Sequence, residues 1–483
     1  MTDRVPASGP RPAGSARPPR RRPTRQAVRR NRAVLAVVVL LLGYTAADAA
    51  DVAPGFLTTD PPPAEAQPFP DIALPGGSLA APAVAGPDDS AEVPTTAGLE
   101  EVVAAFSADS RRTGSFGLVI ADAITGEVLL DHDGGTARPP ASSLKILTGA
   151  ASLSTLGAGA TLTTSAVLSG DSTVTLVAGG DTLLAAGEGN PRATDGHAGL
   201  GDLAARTAEA LAERGIDEVA VDLDDTLFTG PDYHTDWGPI DRTFVSAVQP
   251  IAIDSGRTGS GYSSDPGADA VVAFADALES RGVAVSGVDR GVAPEDAEEL
   301  GSVESAPITA VVRHMLKSSD NSLAEVLSRL VAVERGAETT FPGATGAVRG
   351  ALSDLGVDVS DVTMSDASGL NPASTVPPAV LVDVLRLANN PDNPALHGLS
   401  SGLPVGGLDG TLAERFTAEA AGQVRAKTGT LVRSASLSGL VTTADGRPLH
   451  FSVITSNLQV GTHRLAHQAI DTLVTDLAAC GCR

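Results

Sequence analysis

Ser142 and Lys145 stand three residues apart in the stretch Pro140-Ala141-Ser142-Ser143-Leu144-Lys145-Ile146-Leu147-Thr148. On the first turn of a helix that spacing puts both side chains on one face. A serine hydroxyl is a poor nucleophile until a base takes its proton, and a lysine kept neutral by burial and by neighbouring cations can be that base. The background sharpens the signal, because of 34 basic side chains only Lys145, Lys317 and Lys427 are lysines. Arginine keeps its proton in a protein, so a chain that uses it almost everywhere still needs lysine wherever an amine must give its proton up. Lys427 opens Lys427-Thr428-Gly429-Thr430, and Lys317 lies just ahead of Ser319-Asp320-Asn321.

The pattern around these residues says what must hold them. Leu99 to Phe106 has helical spacing, and 116–120 and 128–130 flank a Thr125-Gly126 turn, which reads as a hairpin. The helix carrying Ser142 follows, with Ile146, Leu147, Ala150 and Leu153 on its apolar side. The chain closes with strands around 435–441 and 449–456, a turn at Asp445-Gly446, and a helix from about His463 to Ala478. One sheet built from both ends of this sequence and covered by the terminal helices is the simplest arrangement. Between Ser142 and Ser319, residues 161–305 carry strands (161–168, 173–177, 219–223), helices (200–214, 268–281) and a Gly/Ser-rich break at 255–264. They read as an insert whose ends lie close together. The expected division is therefore 1–32 basic segment, 33–50 anchor or signal segment, 51–95 linker, 96–160 and 306–483 the two parts of a catalytic domain, and 161–305 the insert.

Composition bounds the setting. The net charge is −24 over 483 residues, yet residues 1–32 hold ten arginines and one aspartate. The remainder is strongly acidic, which argues against nucleic acid as a partner. Residues 33–47 are an uncharged run, short for a membrane span and of signal-core length, while the basic lead is long for a cleaved signal. An uncleaved anchor is favoured over a cleaved one, and either way the arginines hold the N-terminus inside and the acidic bulk is translocated. Residues 51–95, rich in Pro, Gly and Ala, read as an extended tether. Cys480 and Cys482 are the only cysteines; a bridge over one intervening residue would be strained, and a lone C-x-C is no zinc site.

Ser-x-x-Lys, Ser-Asp-Asn and Lys-Thr-Gly in this order are the signature set of penicillin-interacting serine enzymes. With the insert and the phrases Gly179-Gly180-Asp181, Asp366-Ala367-Ser368-Gly369-Leu370 and Asp409-Gly410-Thr411-Leu412, the chain over about residues 96–478 resembles the class C low-molecular-mass penicillin-binding proteins, the D-alanyl-D-alanine carboxypeptidase/endopeptidases of peptidase family S13. The resemblance implies an α+β fold: a penicillin-binding/serine β-lactamase-like transpeptidase module, an antiparallel sheet flanked by helices, with an α/β insert domain. One departure stands out: the family often carries two nested insert domains, and the region after Asp254 is too short for the inner one, which is expected to be missing or stunted here.

By the same resemblance, Ser142 attacks the carbonyl between two D-alanines and Lys145 is its base, kept neutral by desolvation and by the charge of Lys427. Ser319 passes a proton to the leaving amine, Asn321 holds Lys145 and the substrate amide, and Asp320 points away. Lys427, Thr428 and Thr430 bind the terminal carboxylate, with Gly429 letting substrate lie against the backbone. The N–H groups of Ser142 and Thr430 form the oxyanion hole. No metal or other cofactor enters. The implied partners are peptidoglycan stem peptides ending in D-Ala-D-Ala, β-lactams as covalent inhibitors, and the membrane through the N-terminal segment. DD-endopeptidase action on cross-links is a second activity of the same centre.

Other readings compete. A β-lactamase or esterase on this scaffold would turn over a cephalosporin rapidly, and a catalytically silent wall-binding protein would release no D-alanine. Asp222-Leu223-Asp224-Asp225-Thr226 fits the nucleophile loop of haloacid-dehalogenase-type phosphatases, but it lies inside the insert with no lysine between it and Lys317, and reads as an acidic strand end. His463 and His467, four apart, have the spacing of a metal pair without a third ligand and read as residues of a partly exposed helix. Lys317 reads as a solvated residue late in its helix. For Ser368 and Gly369, cleft wall and plain turn both remain open.

Overall fold

The computed structural model describes residues 25–49, 90–418 and 420–482. Helix α1 (Arg25–Ala49) contains the uncharged run, with Val34 to Leu42 exposed along it, and belongs to a unit of its own. No helix among the described residues is long and apolar enough to cross a membrane. The leader before residue 25 and most of the expected tether, 50–89, lie outside the described residues.

In the other unit, α2 (Thr96–Ala108) starts where Thr95 Oγ1 accepts from Gly98 N, a side-chain cap on an otherwise unsatisfied donor. Strands β1 (Ser115–Asp122) and β2 (Val128–His132) form the hairpin. They join β10 (Val424–Leu431), β11 (Ser434–Thr442) and β12 (Pro448–Ser456) in a wholly antiparallel sheet of order β10-β11-β12-β1-β2. Alternate side chains of β1 serve two layers, as the period of a strand dictates. Phe116, Leu118 and Ile120 pack with α2 and with α11 (His463–Ala479), while Val119 and Ala121 meet Val382 of α9 (Pro378–Asn389). Cys480 and Cys482 are paired as a disulfide, and the Cys482 carbonyl accepts from Thr95 N at 2.8 Å. The two ends of the folded unit are thus stitched together.

The helical half packs α3 (Lys145–Leu156), α6 (Ile308–Ser318), α7 (Asn321–Glu334), α8 (Phe341–Asp354), α9 and the short α10 (His397–Gly402) around Leu147, Val312, Leu327 and Leu385. Between α3 and α6 runs a second sheet, made of β3 (Thr163–Leu168), β4 (Thr173–Val177), β5 (Glu218–Asp224), β8 (Ala284–Arg290) and β9 (Glu298–Glu304), in the order β8-β5-β4-β3-β9. Helices α4 (Leu200–Arg214) and α5 (Pro266–Glu279) cover it over Leu203, Val221 and Phe274. Its ends meet: Ser305 N donates to the Leu162 carbonyl and Leu162 N to Ser305 Oγ, both at 2.9 Å. Between Asp254 and α5, where an inner domain would be nested, there is only a two-stranded ribbon, β6 (Arg257–Thr258) with β7 (Gly261–Tyr262).

One part of the insert departs from the reading of a separate substructure. The segment after β5 crosses into the helical half, where Trp237, Val245 and Val248 join its core. Arg329 of α7 donates to the Pro231 carbonyl at 2.8 Å, and Ser246 N to Ser322 Oγ at 2.9 Å. The Asp-x-Asp-x-Thr phrase ends β5 as a turn: Asp224 accepts from Thr226 N, Thr226 Oγ1 and Ala293 N.

Candidate active site

Ser142 lies in a 3-10 turn, Ala141–Leu144, that runs straight into α3. In such a turn residues three apart eclipse one another, which places Lys145 Nζ 3.0 Å from Ser142 Oγ. Ala141, just before the serine, has φ +49°, a left-handed conformation that non-glycine residues take only under tertiary constraint. The turn is held from below by β10 and β11: Ser143 Oγ shares a hydrogen bond with Ser436 Oγ at 2.8 Å, and Ser436 Oγ donates to the Pro140 carbonyl at 2.6 Å. Gly429 lies over this contact, and a Cβ on it would collide with Ser436 Oγ and the Pro140 carbonyl. Its lack of a side chain is therefore required by the turn beneath the strand, rather than by the cleft side.

Two further acceptors fix the Lys145 amine: Asn321 Oδ1 at 2.7 Å and the Ser368 carbonyl at 2.8 Å. Asn321 is the first residue of α7, and its amide nitrogen donates to the Phe244 carbonyl at 2.9 Å. Asp320 is turned away from the cleft: it caps α7 by accepting from Leu323 N at 2.9 Å and pairs with Arg257 at 2.6 Å. Ser319 ends α6 in the left-handed region, φ +58°, and its Oγ accepts from Lys427 Nζ at 2.8 Å. Three segments far apart in the sequence thus supply two hydrogen-bonded sets to one site, Lys145 with Ser142 and Asn321, and Lys427 with Ser319.

The electrostatics follow from burial. Lys145 is fully buried, and desolvation pushes its ammonium down from 10.5 to about 8 against the opposing pull of Asp366, Glu325 and Asp320. The expected help from Lys427 does not fall on Lys145. Lys427 itself is driven well below 10.5, first by burial and then by the charges of Lys145 and Arg415. Burial also pushes Glu325 up to about 7, reinforced by the neighbouring Asp366 charge, and raises Asp366.

Four features of this site were not legible beforehand. Glu325, four residues after Asn321 on the same helix face, accepts from Ala367 N at 3.1 Å and Ser368 N at 2.8 Å, and so aims the Ser368 carbonyl at Lys145. Gly369 is cleft wall, lining with Leu370 a cleft of about 470 Å³ beside Ser142, Ser319, Asn321, Thr411, Thr428 and Thr430, whereas Ser368 is buried behind it and reaches the site through its carbonyl. Ile240, Asp241 and Phe244 from the segment after β5 line it too. Lys317 is not solvated; its amine bridges both Asp409 oxygens at 2.6 Å, and the turn so held presents Thr411 Oγ1 to Thr428 Oγ1 at 3.0 Å. His463 and His467 are half-buried on a partly exposed helix as expected, but both face the site: His467 Nε2 is 2.7 Å from Thr430 Oγ1, and His463 lines the cleft. No group of three or more metal-ligating side chains with a metal-site arrangement occurs among the described residues.

The sequence matches the D-Ala-D-Ala carboxypeptidase 3 (S13) family over residues 99–260 and 257–477. It is 35% identical over 477 residues to carboxypeptidase DacB of Mycolicibacterium smegmatis, covering 93% of this chain and 96% of that protein. A carboxypeptidase of Mycobacterium tuberculosis is 35% identical over 410 residues, 82% of this chain and 86% of that one. The fold is shared with penicillin-binding protein 4 of Haemophilus influenzae, at a TM-score of 0.66 and 21% identity over 79% of this chain and 99% of that one. Folded as an antiparallel sheet with flanking helices and matched over nearly all of its folded length, the chain belongs to the S13 family of class C penicillin-binding proteins and is a serine D-Ala-D-Ala carboxypeptidase.

Proposed function

We propose that the residues of the cleft divide the reaction as follows. Ser142 Oγ attacks the carbonyl carbon between the two D-alanines while its proton passes to neutral Lys145 Nζ. The N–H groups of Ser142 and Thr430 hold the developing oxyanion. Lys427, protonated once the substrate carboxylate is bound, donates to Ser319 Oγ, which leaves the Ser319 hydrogen to be given to the departing amine, and the proton on Lys145 restores it. D-alanine leaves, and water then attacks the acyl-enzyme with Lys145 again as base. Lys427, Thr428 and Thr430 hold the terminal carboxylate. The observation that carries this reading is the fully buried Lys145 amine 3.0 Å from Ser142 Oγ.

The substrate is the peptidoglycan stem peptide ending in D-Ala-D-Ala, outside the cytoplasm, and β-lactams acylate the same oxygen. The arginine-rich leader ahead of the uncharged run 33–47 supports membrane attachment by this segment, with residues 51–95 as tether. Incubation with a pentapeptide precursor tests the activity through D-alanine release. Mass spectrometry after penicillin treatment should find one adduct on Ser142 and none in Ser142→Ala; an adduct that persists in the variant overturns the assignment. Slow cephalosporin turnover separates this enzyme from a β-lactamase, and fractionation with and without residues 1–50 tests the anchor.

A further inference from the structure

We infer that His467, which no motif of the family reading contains, is a positioning residue for substrate: it donates a hydrogen bond to Thr430 and so turns the Thr430 hydroxyl proton toward the carboxylate in the cleft. The inference rests on the assignment of Thr430 to carboxylate binding. His467 lies on α11, which packs across β11 and reaches β10. Its Nε2 is 2.7 Å from Thr430 Oγ1, and its Nδ1 is buried with no hydrogen-bond partner.

That asymmetry selects a tautomer. A neutral imidazole carries one N–H. Were it on Nδ1, a buried donor would go unsatisfied, and Nε2 would take the Thr430 proton that the carboxylate needs. With the N–H on Nε2, His467 donates to Thr430 Oγ1, only an acceptor is left unpaired, and the hydroxyl hydrogen is free to point into the cleft. Buried donors are left unpaired less readily than acceptors, so the second arrangement is favoured.

The charged and titratable groups facing the ring maintain it as neutral. Arg415, from the turn before β10, and His463, one helical turn earlier, both disfavour a cation, and burial does so most; the ring is pushed down to about 4. Arg415 is itself paired with Asp471, one turn after His467. A neutral donor here adds no second positive charge beside Lys427, which already resists protonation.

The experiment compares two acyl donors in the full-length enzyme: a D-Ala-D-Ala-ending peptide, and the 4-nitrophenyl ester of N-acetyl-D-alanine, which has no free carboxylate. His467→Leu should raise KM for the peptide about tenfold, the order of one lost hydrogen bond to a charged ligand, with kcat and ester hydrolysis within about twofold. His467→Gln, whose amide N–H reaches the same place as Nε2, should restore KM to within about twofold of wild type, whereas His467→Asn, which places its N–H near Nδ1, should not. An unchanged KM in His467→Leu, equal losses on both donors, or equal behaviour of the Gln and Asn variants overturns the inference. If His467→Leu does not fold, the Gln and Asn pair decides alone. Absence of D-alanine release by the wild type would instead sink the functional reading, which the Ser142→Ala control tracks separately.

Discussion

The pH dependence of acylation tests the chemistry most directly. Lowering the Lys145 ammonium from 10.5 to about 8 raises its neutral fraction at pH 7 from about one molecule in 3000 to about one in ten, roughly 300-fold. Only the neutral amine can take the Ser142 proton, so the rate should climb about tenfold per pH unit up to about 8 and level off above it. The assay is the second-order rate constant for fluorescent penicillin labelling between pH 5.5 and 9.5. Lys145→Arg keeps a cation that cannot deprotonate and should lose about 10²–10⁴-fold on the plateau above pH 8, and with it the acid limb. Glu325→Gln removes a charge that favours the lysine cation, so the acid limb should move to lower pH. A rate that is flat from pH 6 to 8, a rise that continues unbroken to 9.5, or a Lys145→Arg enzyme within tenfold of wild type on the plateau would refute the reasoning.

Three other outcomes follow from the same electrostatics. Lys427 sits well below its usual range, so a carboxylate ligand should draw a proton onto it; calorimetry of penicilloate binding to Ser142→Ala in buffers of different ionisation enthalpy should report proton uptake. Lys317→Met removes the bridge that sets the 404–412 turn, and should lower kcat/KM about tenfold through misplacement of Thr411, while the melting temperature falls by a few degrees, consistent with about 1 kcal/mol for a partly exposed pair. Arg447→Met strips the partner from Asp122, buried at 1% exposure beside it, and should cost about 3–5 kcal/mol in urea unfolding without moving the labelling rate of the folded fraction. Burial alone would raise Asp122, but Arg447 and the Ile124 and Thr125 N–H groups hold it below 3.8. That stability is therefore present above the unfolded carboxylate pKa and is lost as pH falls through the lower folded one, a loss absent from the variant.

What the sequence revealed is what chemistry restricts. A nucleophile, a neutral base and a carboxylate-binding cation allow few residue types, so Ser142, Lys145, Ser319, Asn321 and Lys427 stood out, and the hairpin and closing strands announced themselves as short apolar runs around turn residues, with β1, β11 and β12 buried on both faces. What stayed hidden depends on contacts across the sequence. The Ser368 carbonyl has no side-chain signature, and the Lys317 to Asp409 and His467 to Thr430 contacts join residues 92 and 37 positions apart. Strands β8 and β9 escaped because β8 is a mostly exposed edge strand and β9 has only two buried positions, so neither shows the pattern of a half-buried strand. Only Glu325 left a usable trace, through its helical offset from Asn321.

The stitched sheet also sets a schedule for the chain. Strands 115–122 and 128–132 emerge early, but their partners at 424–456 come some 300 residues later. Until those arrive the Ser142 turn has no Ser436 beneath it and no Lys427 beside Ser319. Assembly must wait for late, distant pairing, which is slow and leaves strand edges open. Hydrolytic competence should appear only once the last strands have paired, so a chain lacking its C-terminal strands cannot trim wall peptides.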